Sequence, residues 1–178
     1  MKISRVWAMP SSDTFTIKPI MELLERRISE FPEGIFIDPF VRNSPFKSLC
    51  ISNDIDDLIE ADYHMDALDF LKEIETDSAD LIFYDPPYSV RQVSECYRAL
   101  GRTVNSETTR SSFWSNLKTE CKRITRKGGV VISFGWNSGG IGKTNGFDIE
   151  EILLVPHGGI HNDTICTVER KYNTPELF

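Results

Sequence analysis

The chain has no run of about 18 apolar residues, the length a membrane-crossing helix needs. Its start, Met1-Lys2-Ile3-Ser4-Arg5, leads into no apolar stretch of the kind that marks a secretory signal. Both absences predict a cytoplasmic location. Cys50, Cys96, Cys121 and Cys166 are widely spaced and form no C-x-x-C pair, which argues against a zinc site and against a disulfide framework. Histidine is scarce. His157 and His161 have a spacing that suits a metal only on a helix, and Pro156-His157-Gly158-Gly159-Ile160-His161-Asn162-Asp163 carries glycines that make it a turn. His64 has no evident partner in sequence, and no metal is expected. The glycine-rich stretch 135–146 ends in Gly142-Lys143-Thr144, but the phosphate-loop pattern needs a glycine where Asn137 stands, so a nucleoside-triphosphate loop is excluded. Repeats and low-complexity segments are also missing. The 178 residues suit one domain, 1–178, with a substantial core and little room for a second.

The chain does carry an acceptor-rich turn after an apolar run. Ala79-Asp80-Leu81-Ile82-Phe83-Tyr84 reads as a buried strand and continues directly into Asp85-Pro86-Pro87-Tyr88-Ser89. Each proline lacks an N–H and biases the residue before it toward an extended conformation. The turn therefore offers carbonyl oxygens and the Asp85 carboxylate without a competing donor. Such acceptors suit an exocyclic nucleobase amine, whose lone pair is delocalised into the ring. Accepting both of its hydrogens draws that pair back toward the nitrogen, and Tyr88 supplies a flat face for the base. The motif resembles the catalytic loop of S-adenosylmethionine-dependent amino-methyltransferases, above all the DNA adenine-N6 enzymes, in which Asp-Pro-Pro-Tyr follows the fourth strand. The resemblance implies that Asp85, Pro86, Pro87 and Tyr88 form the catalytic loop, that S-adenosylmethionine is the cofactor and that DNA is the substrate. Methylation of cytosine N4 or of an RNA base amine stays open, as does a catalytically silent subunit of the same fold.

Periodicity supplies the frame. Ile20, Leu23, Leu24 and Ile28 predict a helix over 19–30, with Pro19 in its first turn. Strands follow at 35–38 and 48–51, then a helix with Ala67, Phe70, Leu71 and Ile74 as its core stripe, and the strand 79–84. Helices near 91–100 and 107–125 precede a strand at 130–134 and two more near 149–155 and 163–170. The alternation predicts an α/β protein with a mostly parallel sheet closed by a C-terminal antiparallel hairpin, and the resemblance implies that this is the Rossmann-like sheet of class I methyltransferases. Only residues 41–47 separate the first two expected strands, too few for the usual crossover helix, so that helix is predicted to be missing.

Ligands of open α/β sheets sit beyond the C-terminal ends of the strands. Asp38-Pro39-Phe40 ends the first expected strand and resembles the start of the family's cofactor motif, Asn53-Asp54 follows the second, and Asp66-Ala67 opens the next helix. The resemblance implies that Asp38, Pro39 and Phe40 lead the cofactor turn, that Asn53 and Asp54 meet the ribose hydroxyls, and that Asp66 and Ala67 lie near the adenine. It also implies that the segment Thr14–Ile20, with Phe15, Lys18 and Pro19, packs on the methionine end. The chain departs from the pattern in one respect. Val41-Arg42-Asn43-Ser44 continues the turn without the glycines that normally let the backbone approach the cofactor.

The net charge of −7 is unevenly spread. Residues 91–127 hold nine bases against three acids, a net excess of six positive charges just after the catalytic loop. Arg91, Arg98 and Arg102, with Arg110, are placed to meet phosphates. Tyr88 and Ser89 with Trp136, in the 135–146 loop, complete the substrate side, Trp136 as a stacking residue. The motif order leaves no space for a separate recognition domain. Sequence specificity then has to come from 89–112, from 135–146, from a homodimer or from a specificity-providing partner.

Overall fold

The computed structural model describes residues 1–101 and 112–172. Its strands are β1 (Lys2–Arg5), β2 (Phe36–Asp38), β3 (Cys50–Ser52), β4 (Ala79–Tyr84), β5 (Thr125–Gly135), β6 (Phe147–Val155) and β7 (Thr164–Lys171). Its helices are α1 (Lys18–Ile28), α2 (Ala67–Glu73), α3 (Val90–Ala99) and α4 (Ser112–Ile124). The part of the predicted 107–125 helix before Ser112 lies outside the described residues, as do Arg102 and Arg110.

One seven-stranded sheet runs in the order β1-β6-β7-β5-β4-β2-β3. Every pairing is parallel except those of β7, which lies antiparallel between β5 and β6. The expected parallel sheet with a C-terminal hairpin is therefore present. The β1 strand was not predicted. It pairs with β6 at the sheet edge and reads Lys-Ile-Ser-Arg, largely exposed, so it carries no apolar signal.

Alternation along the strands sends side chains to two cores. On one face α1 lays down Ile20, Leu23 and Leu24 against Leu81, Phe83, Ile132 and Val168. On the other, Phe70 and Leu71 of α2 and Leu117, Cys121 and Ile124 of α4 cover Ile37, Ile82 and Val131. Arg27, itself buried, pins α1 to β6 through Glu150 at 2.8 Å and Glu151 at 3.0 Å.

The connection from β2 to β3 lacks a crossover helix, as expected, and holds only a short 3-10 turn at Lys47–Leu49. Buried Phe46 joins the α1-side core in place of that helix, its ring 6.2 Å from Phe83. No described helix is long and apolar enough to cross a membrane.

Candidate active site

A pocket of about 600 Å³ opens where β2, β3 and β4 end. Three strands lead into its lining: Pro39 and Phe40 follow β2, Asn53 and Asp54 follow β3, and Asp85, Pro86, Pro87 and Tyr88 follow β4. The two strands β2 and β3 reach the site before α2, as the sequence reading had it. The intervening segment adds a single bridge between Asn53 and Tyr63, and Asp66 opens α2 as its N-cap.

Asp38 is fully buried behind this wall. One of its oxygens accepts the Phe40 N–H at 3.1 Å, and the other, Oδ2, has no partner. Burial pushes its carboxyl well above the ordinary range, against the Phe40 hydrogen bond, and the charges of Asp85 and Asp54 push the same way. Asp54 accepts the N–H groups of Arg42 at 3.0 Å and Asp56 at 2.9 Å, and each oxygen keeps further acceptor capacity. Asn53 ties the loop after β2 to the start of α2, donating to the carbonyls of Pro39 and Met65 at 3.1 Å each. Asp66 accepts the Leu68 N–H at 3.0 Å and the hydroxyl of Tyr97 on α3, while Ala67 is buried in the pocket wall.

Asp85 is half-buried at the centre. Burial raises its carboxyl, and three neighbours pull it back: hydrogen bonds from Tyr88 and Thr14 and the charge of Arg42. The Tyr88 hydroxyl donates to Asp85 at 2.5 Å, the Tyr88 N–H to Gln92 at 2.6 Å, and the Trp114 indole N–H to the Pro87 carbonyl at 2.9 Å. The Pro-Pro turn is thus held from both sides.

A second pocket of about 400 Å³ meets the first at Pro86, Pro87, Tyr88 and Trp136, which line both. Trp136 stands edge-on to Tyr88, with ring centroids 5.6 Å apart. Ser89 lines this second pocket and caps α3, accepting the Gln92 N–H at 3.2 Å. Tyr84 and Ser133 line it too, and their buried hydroxyls have no partner. Those two residues and Thr167, also unpartnered, pair in register across β4, β5 and β7.

The 135–146 loop carries Trp136 at its exposed start and is anchored further on. The Glu169 carboxylate accepts the N–H groups of Ile141 at 2.5 Å and Gly142 at 2.9 Å. A side chain at Gly140 would collide with that carboxylate, which explains one glycine of a stretch that superficially suggests phosphate binding.

Other sequence expectations separate. Phe15 lines the large pocket, but Lys18 and Pro19, in the first turn of α1, are not among its lining residues. Lys18 is exposed, 3.9 Å from Glu22. Arg91 and Arg98 are exposed on α3 outside both pockets, and Arg91 is engaged by Glu95 at 2.7 Å. His157 is a hairpin strut, its ring nitrogens 2.9 Å from the Ala8 carbonyl and the Thr164 hydroxyl. Among the described residues no group of three or more His, Cys, Asp or Glu could hold a metal ion.

Sequence reasoning missed the wall contributed by α3, with Gln92, Glu95, Cys96 and Tyr97, and it missed Arg42. No local pattern announces the first. Nor does one announce the second: the absent glycines mark a departure without showing that Arg42 takes the left-handed turn.

No family model matches the chain, and no curated protein does. Its structure is similar to several solved ones. A Haemophilus influenzae protein assigned as a methylase aligns with TM-score 0.57 at 10% identity, over 88% of this chain and 98% of that one. A Burkholderia thailandensis 1,6-didemethyltoxoflavin-N1-methyltransferase, crystallised with S-adenosylhomocysteine, aligns with TM-score 0.57 at 7% identity, over 84% and 76%. TrmN from Thermus thermophilus aligns with TM-score 0.52 at 14% identity over 84% of this chain, which spans 48% of TrmN. At such identities the likeness is one of architecture, and the strand order, the antiparallel β7 and the pocket beyond β2 to β4 agree with it. The chain has the Rossmann-like fold of class I methyltransferases.

Proposed function

We propose that this protein transfers a methyl group from S-adenosylmethionine to the N6 amine of adenine in DNA. The observation that carries the reading is the position of Asp85-Pro86-Pro87-Tyr88 at the end of β4, on the boundary between a large acidic pocket and a smaller one with two aromatic rings at its mouth.

The large pocket suits the cofactor. Asp13, Asp54, Asp66, Asp85 and Glu95 line it, and the unpartnered Asp38 oxygen lies behind it, an arrangement favourable to a cationic ligand. S-adenosylmethionine would supply a methyl group made electrophilic by a positive sulfur. Asp54 would take the ribose hydroxyls and Asp66 and Ala67 the adenine, with Phe40 packing beside them.

The smaller pocket suits a base turned out of the stack. Tyr88 would supply a face for the base to stack on, with the Trp136 ring edge-on beside it, and the unpartnered hydroxyls of Tyr84 and Ser133 lie beneath the pocket wall. Asp85 and the Pro86 carbonyl would accept the hydrogens of its amine and orient the nitrogen, so that catalysis rests on positioning and acceptor placement. The Tyr88 hydroxyl must release Asp85 as the amine arrives. An aspartate at the first motif position favours adenine over cytosine N4. The direct test is to incubate the protein with DNA and labelled cofactor and identify the labelled nucleoside.

DNA would be held through phosphates by exposed arginines on α3. Because Arg91 is already paired with Glu95, Arg98 is the freer of the two. Replacing both with alanine should reduce the slope of log affinity against log salt by about one to two units, with little change in sequence preference. An unchanged slope in salt titrations would assign α3 to a solvated surface.

A further inference from the structure

The turn after β2 takes up the backbone shape expected of a glycine, with an arginine in the glycine's place. Arg42 has φ of +42°, a left-handed conformation uncommon for a residue with a Cβ. Three hydrogen bonds fix the turn there: Arg42 N–H to Asp54 at 3.0 Å, Val41 N–H to the Asn53 carbonyl at 3.0 Å and Asn53 N–H to the Asp38 carbonyl at 2.9 Å. The strain holds a long cationic side chain at the rim of the large pocket. Among the described residues that line this pocket, Arg42 is the single lysine or arginine, against five carboxylates. It forms no ion pair with any of them among the described residues. Its charge nevertheless reaches Asp85 and Cys96, lowering the proton affinity of both.

S-adenosylmethionine has two cationic centres, the sulfonium and the ammonium, and one anionic group, the α-carboxylate. The acidic lining serves the first two and repels the third. Glycine-rich turns bring bare backbone N–H groups to a ligand, and here the Arg42 N–H is already given to Asp54. Lys18, which the sequence reading assigned to the methionine end, points away toward Glu22. A guanidinium is the side chain best shaped to grip a carboxylate with two parallel hydrogen bonds. We infer that Arg42 binds the α-carboxylate of the cofactor's methionine moiety, replacing the missing glycine backbone with a side-chain anchor.

This inference rests on the proposed cofactor reading, and calorimetry with two ligands separates them. The ligands are S-adenosylhomocysteine and its decarboxylated analogue, which keeps the ammonium and loses only the carboxylate. The proteins are wild type, Arg42→Lys and Arg42→Gly, the last compatible with a positive φ. S-adenosylhomocysteine should bind Arg42→Gly about tenfold to a hundredfold more weakly than wild type, with Arg42→Lys between them. The decarboxylated analogue should bind wild type and Arg42→Gly within about twofold of each other, because the lost carboxylate and the lost guanidinium are one interaction. Equal losses for both ligands, or no loss for either, overturn the assignment while leaving the cofactor reading standing. Failure of wild type to bind either ligand overturns both.

Discussion

Replacing Asp85 with alanine is expected to cut methyl transfer about a thousandfold while leaving affinity for S-adenosylhomocysteine within about threefold. The carboxylate lies at the end of a central buried strand, at the boundary of the two pockets, where it would meet the target amine. Pro86 and Pro87 add no N–H to compete for it. Asp85→Asn is the sharper variant, because it keeps the shape and one acceptor oxygen but puts an amide donor where the amine's hydrogen should be received. It should be nearly as inactive as alanine. The alanine variant also frees the Tyr88 hydroxyl from its 2.5 Å bond, so a modest loosening of the aromatic pair with Trp136 should accompany the loss. Single-turnover rates with saturating cofactor separate the two effects, and activity within tenfold of wild type would remove Asp85 from the mechanism.

The second large effect concerns Asp38. Its carboxyl is buried, one oxygen lacks a partner, and its proton affinity is raised first by burial and then by the neighbouring charges of Asp85 and Asp54. An unfolded aspartate titrates near about 3.9. From that pH up to the raised folded value, the folded state holds a proton that the unfolded state has released, so stability must fall as pH rises through the window. Glu169 and Asp85, also raised by burial, act in the same direction, and the variant isolates the Asp38 share. Asp38→Asn, still able to accept the Phe40 N–H, should flatten the fall in thermal stability and make the ligand-free protein more stable above the window. Because Asp38 lies behind the pocket wall and not in it, any change in cofactor affinity should come through its charge alone. Ligand stabilisation of wild type should grow with pH, since a cation favours the charged carboxylate. Parallel pH profiles for wild type and variant would place the titration elsewhere.

The parts of this protein legible in sequence are those whose physics is local. From Leu81 to Tyr84 the β4 strand is buried on both faces and therefore reads as a continuous apolar run, and the two prolines after it restrict the backbone without help from the rest of the chain. The missing crossover helix was legible from chain length alone. The β1 strand was not, because an edge strand of Lys2, Ile3, Ser4 and Arg5 buries too little to leave a pattern. Lys18 lies outside the pocket lining for a related reason: Pro19 fixes where α1 begins, and the helix phase then turns Lys18 toward Glu22 and solvent. Arg42 shows the limit most clearly. Its left-handed backbone depends on Asp54, twelve residues away, so nothing in Val41-Arg42-Asn43 by itself predicts a glycine-like turn. The α3 wall is a tertiary feature of the same kind, fastened through Tyr97 to Asp66 on a different helix.

The central claim is the identity of the methylated group, and one measurement addresses it directly. The protein is incubated with unmethylated DNA and S-adenosylmethionine labelled in the methyl group, the DNA is digested, and its nucleosides are separated by mass. N6-methyldeoxyadenosine carrying the label, and its absence when Asp85→Asn replaces wild type, is the predicted result. Label confined to N4-methyldeoxycytidine, or no labelled nucleoside from DNA by a protein that binds S-adenosylhomocysteine, contradicts it.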